Sequence, residues 1–273
     1  MRQLTEKQKD SIIRSAERGL KEITDDLDRF KNPRKKNAWG AIISFMAGAH
    51  EHLAVKHYFV DHDIPGFKQH AYLFAQSELV AKHLDYDKDD EMTWDLILFA
   101  LLSDSPKAIE GVGLVNPRFI RAAGNKPQSI YFWVHMYQLV MLNKMDEVAQ
   151  RLENAKTQAK KQRRKALIEG KDFFSLLLAK DKVGLENLLL EKAKNDKTDN
   201  PWIEGLIAPI PTIEAKLCWL KGIEVEIDHP LLPMELLPFK PLEHYDDVYD
   251  FLSSDWTPPT QNFIQKITKW FSK

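Results

Sequence analysis

Apolar residues recur at intervals of three and four along most of the chain, most clearly in the N-terminal segment. The apolar positions there are Ile13, Ala16, Leu20, Ile23, Leu27 and Phe30. At 3.6 residues per turn, this spacing places their side chains along one face of an amphipathic helix. Asn32 and Pro33 predict the end of that helix, because proline disfavours helical geometry in the residue before it.

The same periodicity predicts further helices in the N-terminal part. We expect a second helix over Arg34–Phe59, a third that Pro65 opens within its first turn, and a short, very apolar helix over Trp94–Leu102. An acidic turn over Asp85–Glu91 separates the last two. Ser105 is a typical helix N-cap, and Pro106 then occupies the first position of a brief helix.

The middle of the chain predicts a loop and then two similar helical hairpins. Residues 111–127 carry Gly, Pro and Asn, which is typical of a loop between helical layers. The blocks Tyr137–Gln158 and Phe174–Asn195 align at a separation of 37 residues, and each predicts a helix, a charged turn and a second helix. This separation is near the period of helical repeats, so a repeat-like α-α superhelix is one expected arrangement, although solenoids usually need three or more copies.

The pattern changes beyond Gly222. Residues 222–227 alternate between apolar and acidic side chains, which is typical of a short extended segment. Pro230, Pro233, Pro238 and Pro241 then exclude one long helix. We expect a short acidic helix over residues 245–252, and a last amphipathic helix with apolar positions from 263 to 271.

These elements predict an all-α protein of stacked helical hairpins with an irregular, proline-rich C-terminal segment. We expect a single helical domain over residues 1–273, with the N-terminal helices of residues 1–110 and the helical-hairpin region of residues 127–273 as its sub-layers. The composition agrees with a packed core, because 44% of the residues are hydrophobic and 29% are charged.

Charge and cysteine content narrow the classes of partner and compartment. Lys and Arg number 39 and Asp and Glu number 40, so no overall field favours nucleic acid or an anionic membrane. The one cysteine, Cys218, cannot form an internal disulfide. An apolar signal region and an apolar run long enough to span a bilayer are both missing, so we expect a cytoplasmic protein.

A group of histidines and one glutamate raises the question of a metal site. The group comprises His50, Glu51, His52, His57, His62 and His70. His50 and His57 are seven positions apart and share a helix face, but the i, i+3 or i, i+4 spacing of helical metal pairs is missing. We therefore expect ordinary core or surface histidines, with no metal and no cofactor. A metal-dependent helical-bundle enzyme remains an alternative.

Other motifs give little support for chemistry. Gly111–Asn116 starts like a dinucleotide-binding loop, but it lacks the third glycine and follows a helix. The basic run over Lys156–Lys165 has no interleaved aromatic residue, which favours a solvated helix end over phosphate binding. Cys218 lies beside Trp219 in an apolar helix, which favours a buried, inert thiol. We expect no catalytic residue and no enzymatic activity.

An acidic stretch near the C-terminus is the candidate partner-binding segment. It interleaves carboxylates with aromatic residues, and interface cores favour Tyr and Trp while acidic groups steer basic partners. An ordinary charged helix face is the alternative. The residues predicted to bind a partner are Tyr245, Asp246, Asp247, Tyr249 and Asp250.

One region resembles a known family. The apolar helix Glu214–Leu220 precedes a GIEVEID run at 222–228 and a P-L-x-P-x-E-L-L run at 230–237. This combination is similar to the C-terminal region of the immunity protein 49 family, and the helix–turn–helix blocks at 130–195 also resemble that family. Trp39–His57 resembles it only loosely, so the resemblance covers about half of the chain.

The resemblance implies a helical protein, encoded beside a bacterial polymorphic toxin, that protects the producing cell by binding the toxin. It implies no enzymatic activity, and it carries no residue-level binding signature. The expected partner is therefore a cognate toxin protein, with no nucleic acid and no membrane. A helical-repeat adaptor for another protein partner is the alternative.

Overall fold

A computed structural model gives the fold and describes residues 4–33, 38–84, 94–198 and 200–260, except for the side chain of residue 162. Within these ranges the chain is α-helical and contains no β-strand, which confirms the all-α prediction. The helices are α1 (Glu6–Lys31), α2 (Trp39–Phe59), α3 (Ile64–His83), α4 (Trp94–Leu102), α5 (Pro106–Leu114), α6 (Arg118–Ala123), α7 (Ile130–Met141), α8 (Met145–Gln158), α9 (Lys161–Glu169), α10 (Phe173–Ala179), α11 (Lys182–Lys194) and α12 (Pro209–Leu220). None of these helices is long and apolar enough to cross a bilayer.

The local signals for helix ends act as predicted. The Ser105 side chain accepts a hydrogen bond from the backbone N–H of Ala108, and Pro106 is the first residue of α5. α1 ends at Lys31, two residues before Pro33. The predicted acidic turn at 85–91 and the predicted helix at 263–271 lie outside the described residues.

Helix α4 lies at the centre of the core. Its residues from Leu96 to Leu102 have no exposed surface, as a helix that is apolar on every side requires. α4 contacts α3, α5 and α12, while α1, α2 and α3 pack against one another in chain order. The central helix therefore joins the N-terminal helices to the helix that precedes the proline-rich segment.

The two predicted hairpins are present as α7–α8 and α10–α11, and their turns match. Asn143 and Lys180, 37 positions apart, both have left-handed backbones, with φ of 59° and 54°. The N–H of the next residue donates to the carbonyl five residues earlier in both turns, at 2.8 Å in the first and 3.0 Å in the second. Because α9 intervenes between the hairpins, the repeat-like superhelix remains a prediction.

The predicted loop at 111–127 is wrong over most of its length. α5 continues to Leu114, and α6 occupies Arg118–Ala123, so only residues 115–117 and 124–127 are non-helical. Gly111 and Gly113 lie within α5, where a Cβ would come within 2.7 Å of Leu79 and 2.8 Å of Leu142. These glycines therefore allow close helix packing, a role that composition alone did not distinguish from a loop.

In the predicted extended segment after Gly222, buried and exposed residues alternate, but the segment pairs with no strand in the described chain. Ile223, Val225 and Ile227 are buried, whereas the acidic residues between them are exposed. The indole N–H of Trp219 donates to the Val225 carbonyl at 3.2 Å. The alternation therefore marks a segment that packs on the helical core.

The predicted helix over residues 245–252 is wrong. Only Asp250–Leu252 forms a single 3₁₀ turn, and the residues before it are irregular. The backbone N–H and carbonyl of Asp246 bond to the side chain of Gln69 in α3, at 3.1 and 2.8 Å. The segment thus satisfies its backbone by bonding to another helix, which competes with local i to i+4 hydrogen bonds.

A buried charge network holds the proline-rich segment against the core. Asp104, between α4 and α5, has no exposed surface and forms ion pairs with Lys216 of α12 and, at 2.7 Å, with Lys68 of α3. Lys216 also donates to the Leu236 carbonyl at 2.7 Å, and Lys68 donates to the Lys240 carbonyl at 2.6 Å. Burial lowers the pKa of Lys216 to about 8, although Asp104 opposes this shift.

We expect Asp104→Asn to lower the free energy of unfolding by about 3–5 kcal/mol, because it leaves two buried ammonium groups without a counter-charge. Asn tolerates the left-handed backbone that Asp104 adopts, with φ of 60°. The loss of stability therefore results from removing the negative charge and not from backbone strain. Chemical denaturation measures the change. The exposed Asp228→Asn is the control and should shift stability by less than about 0.5 kcal/mol. Equal effects of the two substitutions would contradict this role for the network.

Candidate functional site

The acidic C-terminal segment forms a strap, residues 243–256, that lies across the N-terminal helices. Its aromatic side chains fasten it to α1. Phe251 and Trp256 pack against Phe30, with ring centroids 5.7 and 6.0 Å apart. Together with the bonds between Asp246 and Gln69, these contacts fix the strap against α1 and α3.

The two tyrosines predicted to bind a partner are used within the protein. The Tyr245 hydroxyl donates to the Ser103 carbonyl at 2.6 Å. Tyr249 is only 8% exposed, and its hydroxyl lies 2.6 Å from Nε2 of His50. Burial raises the pKa of both phenols to about 12, so both are neutral at physiological pH. Both tyrosines anchor the strap. The sequence pattern could not distinguish this internal role from a role in partner binding.

Asp247 is also held by the protein. Its carboxylate accepts hydrogen bonds from the Lys107 ammonium at 2.8 Å and from the Tyr72 hydroxyl. Burial alone would raise the pKa of Asp247, but these hydrogen bonds outweigh it and lower the pKa. Asp247 therefore stays ionised and ties the strap to α3 and α5.

The remaining two predicted residues point into solvent. The Asp246 side chain is 70% exposed and pairs with His244 at 3.0 Å, and Asp250 is exposed as well. Glu243 is exposed, and so is Val248, with 57% of its surface accessible. We call Glu243, Asp246, Val248 and Asp250 the acidic face. It combines negative charge with one exposed apolar side chain.

Three of the suspected metal ligands meet beneath the strap. Nδ1 of His50 lies 2.8 Å from Nδ1 of His70, and the His57 ring stacks on His70 at 5.0 Å between centroids. His57 contacts Asp63 at 2.9 Å. Burial lowers the pKa of His50 to about 3 and that of His70 to about 4, and each is lowered further by a neighbouring histidine. The described residues contain no group of three or more side chains arranged to hold a metal ion.

The histidine cluster gives the protein a pH-dependent stability. An unfolded histidine titrates near 6.5, whereas folded His50 titrates near 3, so the unfolded chain binds the extra proton between these values. The contribution of neutral His50 to the free energy of unfolding is thus fully present above pH 6.5. It is lost as the pH falls toward 3.

We expect His50→Gln to reduce the loss of stability on acidification, because glutamine can still bond to Tyr249 but does not titrate in this range. Chemical denaturation at about pH 7.5 and about pH 5 measures the difference in unfolding free energy. His83→Gln, at an exposed position at the end of α3, is the matched control and should follow the wild type. A slope for His50→Gln equal to that of the wild type would contradict the prediction.

A second candidate surface is an open cleft of about 510 Å³ between α7, α9, α10, α11 and α12. We call it the aromatic cleft. Its walls include Trp133, Tyr137, Phe173 and Phe174. These rings pack on one another, with Trp133 and Phe174 6.0 Å apart and Tyr137 and Phe174 5.1 Å apart between centroids. The volume lies within the range of sites that take small molecules or side chains.

A buried carboxylate lies at the base of the aromatic cleft. Glu214 of α12 is 1% exposed and accepts hydrogen bonds from the Tyr137 hydroxyl and the Lys192 ammonium, both at 2.6 Å. Burial, together with the nearby Glu214 carboxylate, raises the pKa of Tyr137. The charge of Glu214 is therefore already matched by groups of the protein.

The mouth of the aromatic cleft is basic. Lys160, Arg163 and Lys171 line it, and the Arg163 guanidinium lies 4.3 Å from the ring centroid of Trp133. The predicted solvated helix end agrees with the exposure of Lys160, Arg163 and Lys165, but Arg163 also contacts an aromatic ring, which was not predicted. The aromatic partner comes from α7, thirty positions earlier, so no local pattern revealed the stacking.

The comparison with protein families covers most of this structure. Residues 46–236 match the family model described as Immunity protein 49. The chain belongs to the Immunity protein 49 family. The match confirms the resemblance seen in the sequence, and it also spans residues 58–129, for which no resemblance was identified. No curated protein and no solved structure matches the chain.

The two candidate surfaces differ in their relation to the Immunity protein 49 match. Every residue that lines the aromatic cleft, from Pro127 to Glu214, lies inside residues 46–236. The strap begins at residue 243, beyond the end of the match. The cleft thus belongs to the part of the chain that identifies the family, and the acidic face does not.

Proposed function

We propose that this member of the Immunity protein 49 family binds a cognate bacterial toxin in the cytoplasm and neutralises it. The observation that carries the proposal is the family match over residues 46–236. The protein acts by stoichiometric binding and not by catalysis. A rigid helical scaffold with accessible charged surfaces suits that task, because an inhibitor needs complementarity to its target.

The acidic face is the proposed first point of contact. Glu243, Asp246 and Asp250 present carboxylates to solvent on a strap that internal contacts hold in place. Fixed negative charge attracts a basic patch on a partner and raises the rate of productive encounters. Val248, exposed among these carboxylates, offers an apolar contact once the surfaces meet.

Co-expression with the toxin encoded by the neighbouring gene tests the proposed function. We expect the protein to restore growth of cells that produce the toxin and to co-purify with it at a fixed stoichiometry. Protection without a complex would contradict neutralisation by binding. Failure of both protection and complex formation would refute the function.

The double substitution Asp246→Lys and Asp250→Lys tests the acidic face. We expect association with the toxin to slow by about tenfold at low salt and its rate to depend less on ionic strength, because steering charge is reversed. Stopped-flow or surface-based kinetics measure both effects. Asp247 stays unchanged, since its substitution would release Lys107 and Tyr72 from the strap.

The matched control makes the same change in net charge on α1. Asp10 and Glu17 are both exposed, and Asp10→Lys with Glu17→Lys should leave most of the association rate intact. If both double variants slow association equally, only net charge matters. The acidic face would then have no specific role.

A further inference from the structure

We infer that the aromatic cleft is a second contact site, one that receives an aspartate or glutamate side chain from the toxin. This inference rests on the proposed function and adds the location and chemistry of a contact. The occupant follows from the charge that the cleft leaves unmatched, from the donors that it presents and from its apolar edge.

Arg163 presents unused donors at the mouth of the cleft. Its guanidinium stacks on Trp133 at 4.3 Å and forms no hydrogen bond or ion pair with the described side chains and backbone. A stacked guanidinium keeps its N–H edge free, and that planar fork matches the two oxygens of a carboxylate. Arg163 is therefore oriented for an anion before any partner arrives.

The charges of the cleft favour an anion over a cation. Inside it, Glu214 forms an ion pair with Lys192 and accepts a hydrogen bond from the Tyr137 hydroxyl. The Asp172 carboxylate accepts from the backbone N–H groups of Phe174 and Ser175, at 3.0 and 3.2 Å, and so caps α10.

Lys160 and Arg163 add positive charge at the mouth, whereas Lys171 is paired with Glu169 at 3.1 Å. Asp172 and Glu214 attract Arg163 electrostatically, but neither forms an ion pair with it in the described chain. The lining holds four cations (Lys160, Arg163, Lys171 and Lys192) and two carboxylates (Asp172 and Glu214), so a carboxylate that enters the mouth still meets net positive charge.

The edge of the cleft favours a protein as the source of the carboxylate. Ile130 lines the cleft and is 50% exposed, so an apolar residue beside the acidic one can pack on it. A pocket walled by aromatic rings, with an arginine at its mouth, has the composition of interface hot spots. The volume of about 510 Å³ holds one or two side chains of an inserted loop.

Affinity measurements with the purified toxin from the neighbouring gene test the inference. We expect Arg163→Glu to raise the dissociation constant for the toxin by at least about 100-fold. Arg163→Lys should raise it by about tenfold, because lysine keeps the charge but lacks the planar guanidinium. Lys160→Glu, at a second mouth position that makes no hydrogen bond through its side chain within the described residues, should weaken binding by about tenfold. Melting curves of all variants should match that of the wild type.

Lys165→Glu is the matched control, with the same charge reversal on the same helix but outside the cleft. It should change the dissociation constant by less than about threefold. If Arg163→Glu and Lys160→Glu behave like this control while the wild type binds the toxin, the inference is overturned and the proposed function stands. If the wild type binds no toxin, the proposed function fails and the inference fails with it.

A charge swap identifies the occupant. Replacing acidic residues of the toxin by arginine, one at a time, should find one that recovers at least about tenfold of the affinity lost in Arg163→Glu. Recovery at no position would overturn the inference. Native mass spectrometry that finds a small anion bound to the wild type but not to Arg163→Glu would also overturn it, by assigning the cleft to a small ligand.

Discussion

The arrangement of the whole molecule depends on one buried carboxylate between two buried ammonium groups. Asp104 follows the central helix α4, and its ion pairs to Lys68 and Lys216 connect α3 and α12 through the middle of the core. A charge in this apolar setting is tolerated only when it is paired, so the three side chains constrain one another. The spare N–H groups of both lysines then bind carbonyls of residues 236–240, which gives the irregular segment its partners.

The strap begins where that network ends, and this order explains how a chain without regular structure presents a defined surface. Hydrogen bonds to the rest of the protein engage the side chains of Tyr245, Asp247 and Tyr249. Their neighbours Asp246 and Asp250 therefore point outward in fixed positions. An acidic face held in this way costs little conformational entropy when a partner binds, which is the advantage of a preorganised surface. The aromatic cleft is preorganised as well, since Arg163 is already stacked on Trp133.

Local signals in the sequence predicted the structure correctly wherever a residue acts on its own backbone or through helical periodicity. Ser105 and Pro106 begin α5, the turn at Asn143 separates α7 from α8, and the buried alternation of residues 223–227 follows the apolar pattern. Each of these outcomes depends on dihedral preference or on which side of a short segment is apolar. The same signals gave wrong predictions where a contact with a distant residue overrides the local preference. Gly111 and Gly113 lie in a helix and allow close packing of Leu79 and Leu142, and the segment at 245–252 is not helical because it bonds to α3.

Sequence patterns alone predicted the all-α class, several helix limits, the irregular C-terminal segment and the resemblance to the family that the match over residues 46–236 confirms. These properties follow from spacing and composition within short windows. Which charged and aromatic side chains bond within the protein, and which face solvent, depends on the tertiary structure. It buried Tyr249 against His50 and left Asp246 exposed, and it brought Arg163 over Trp133. Those outcomes depend on contacts between residues far apart in the chain, and no local pattern encodes them.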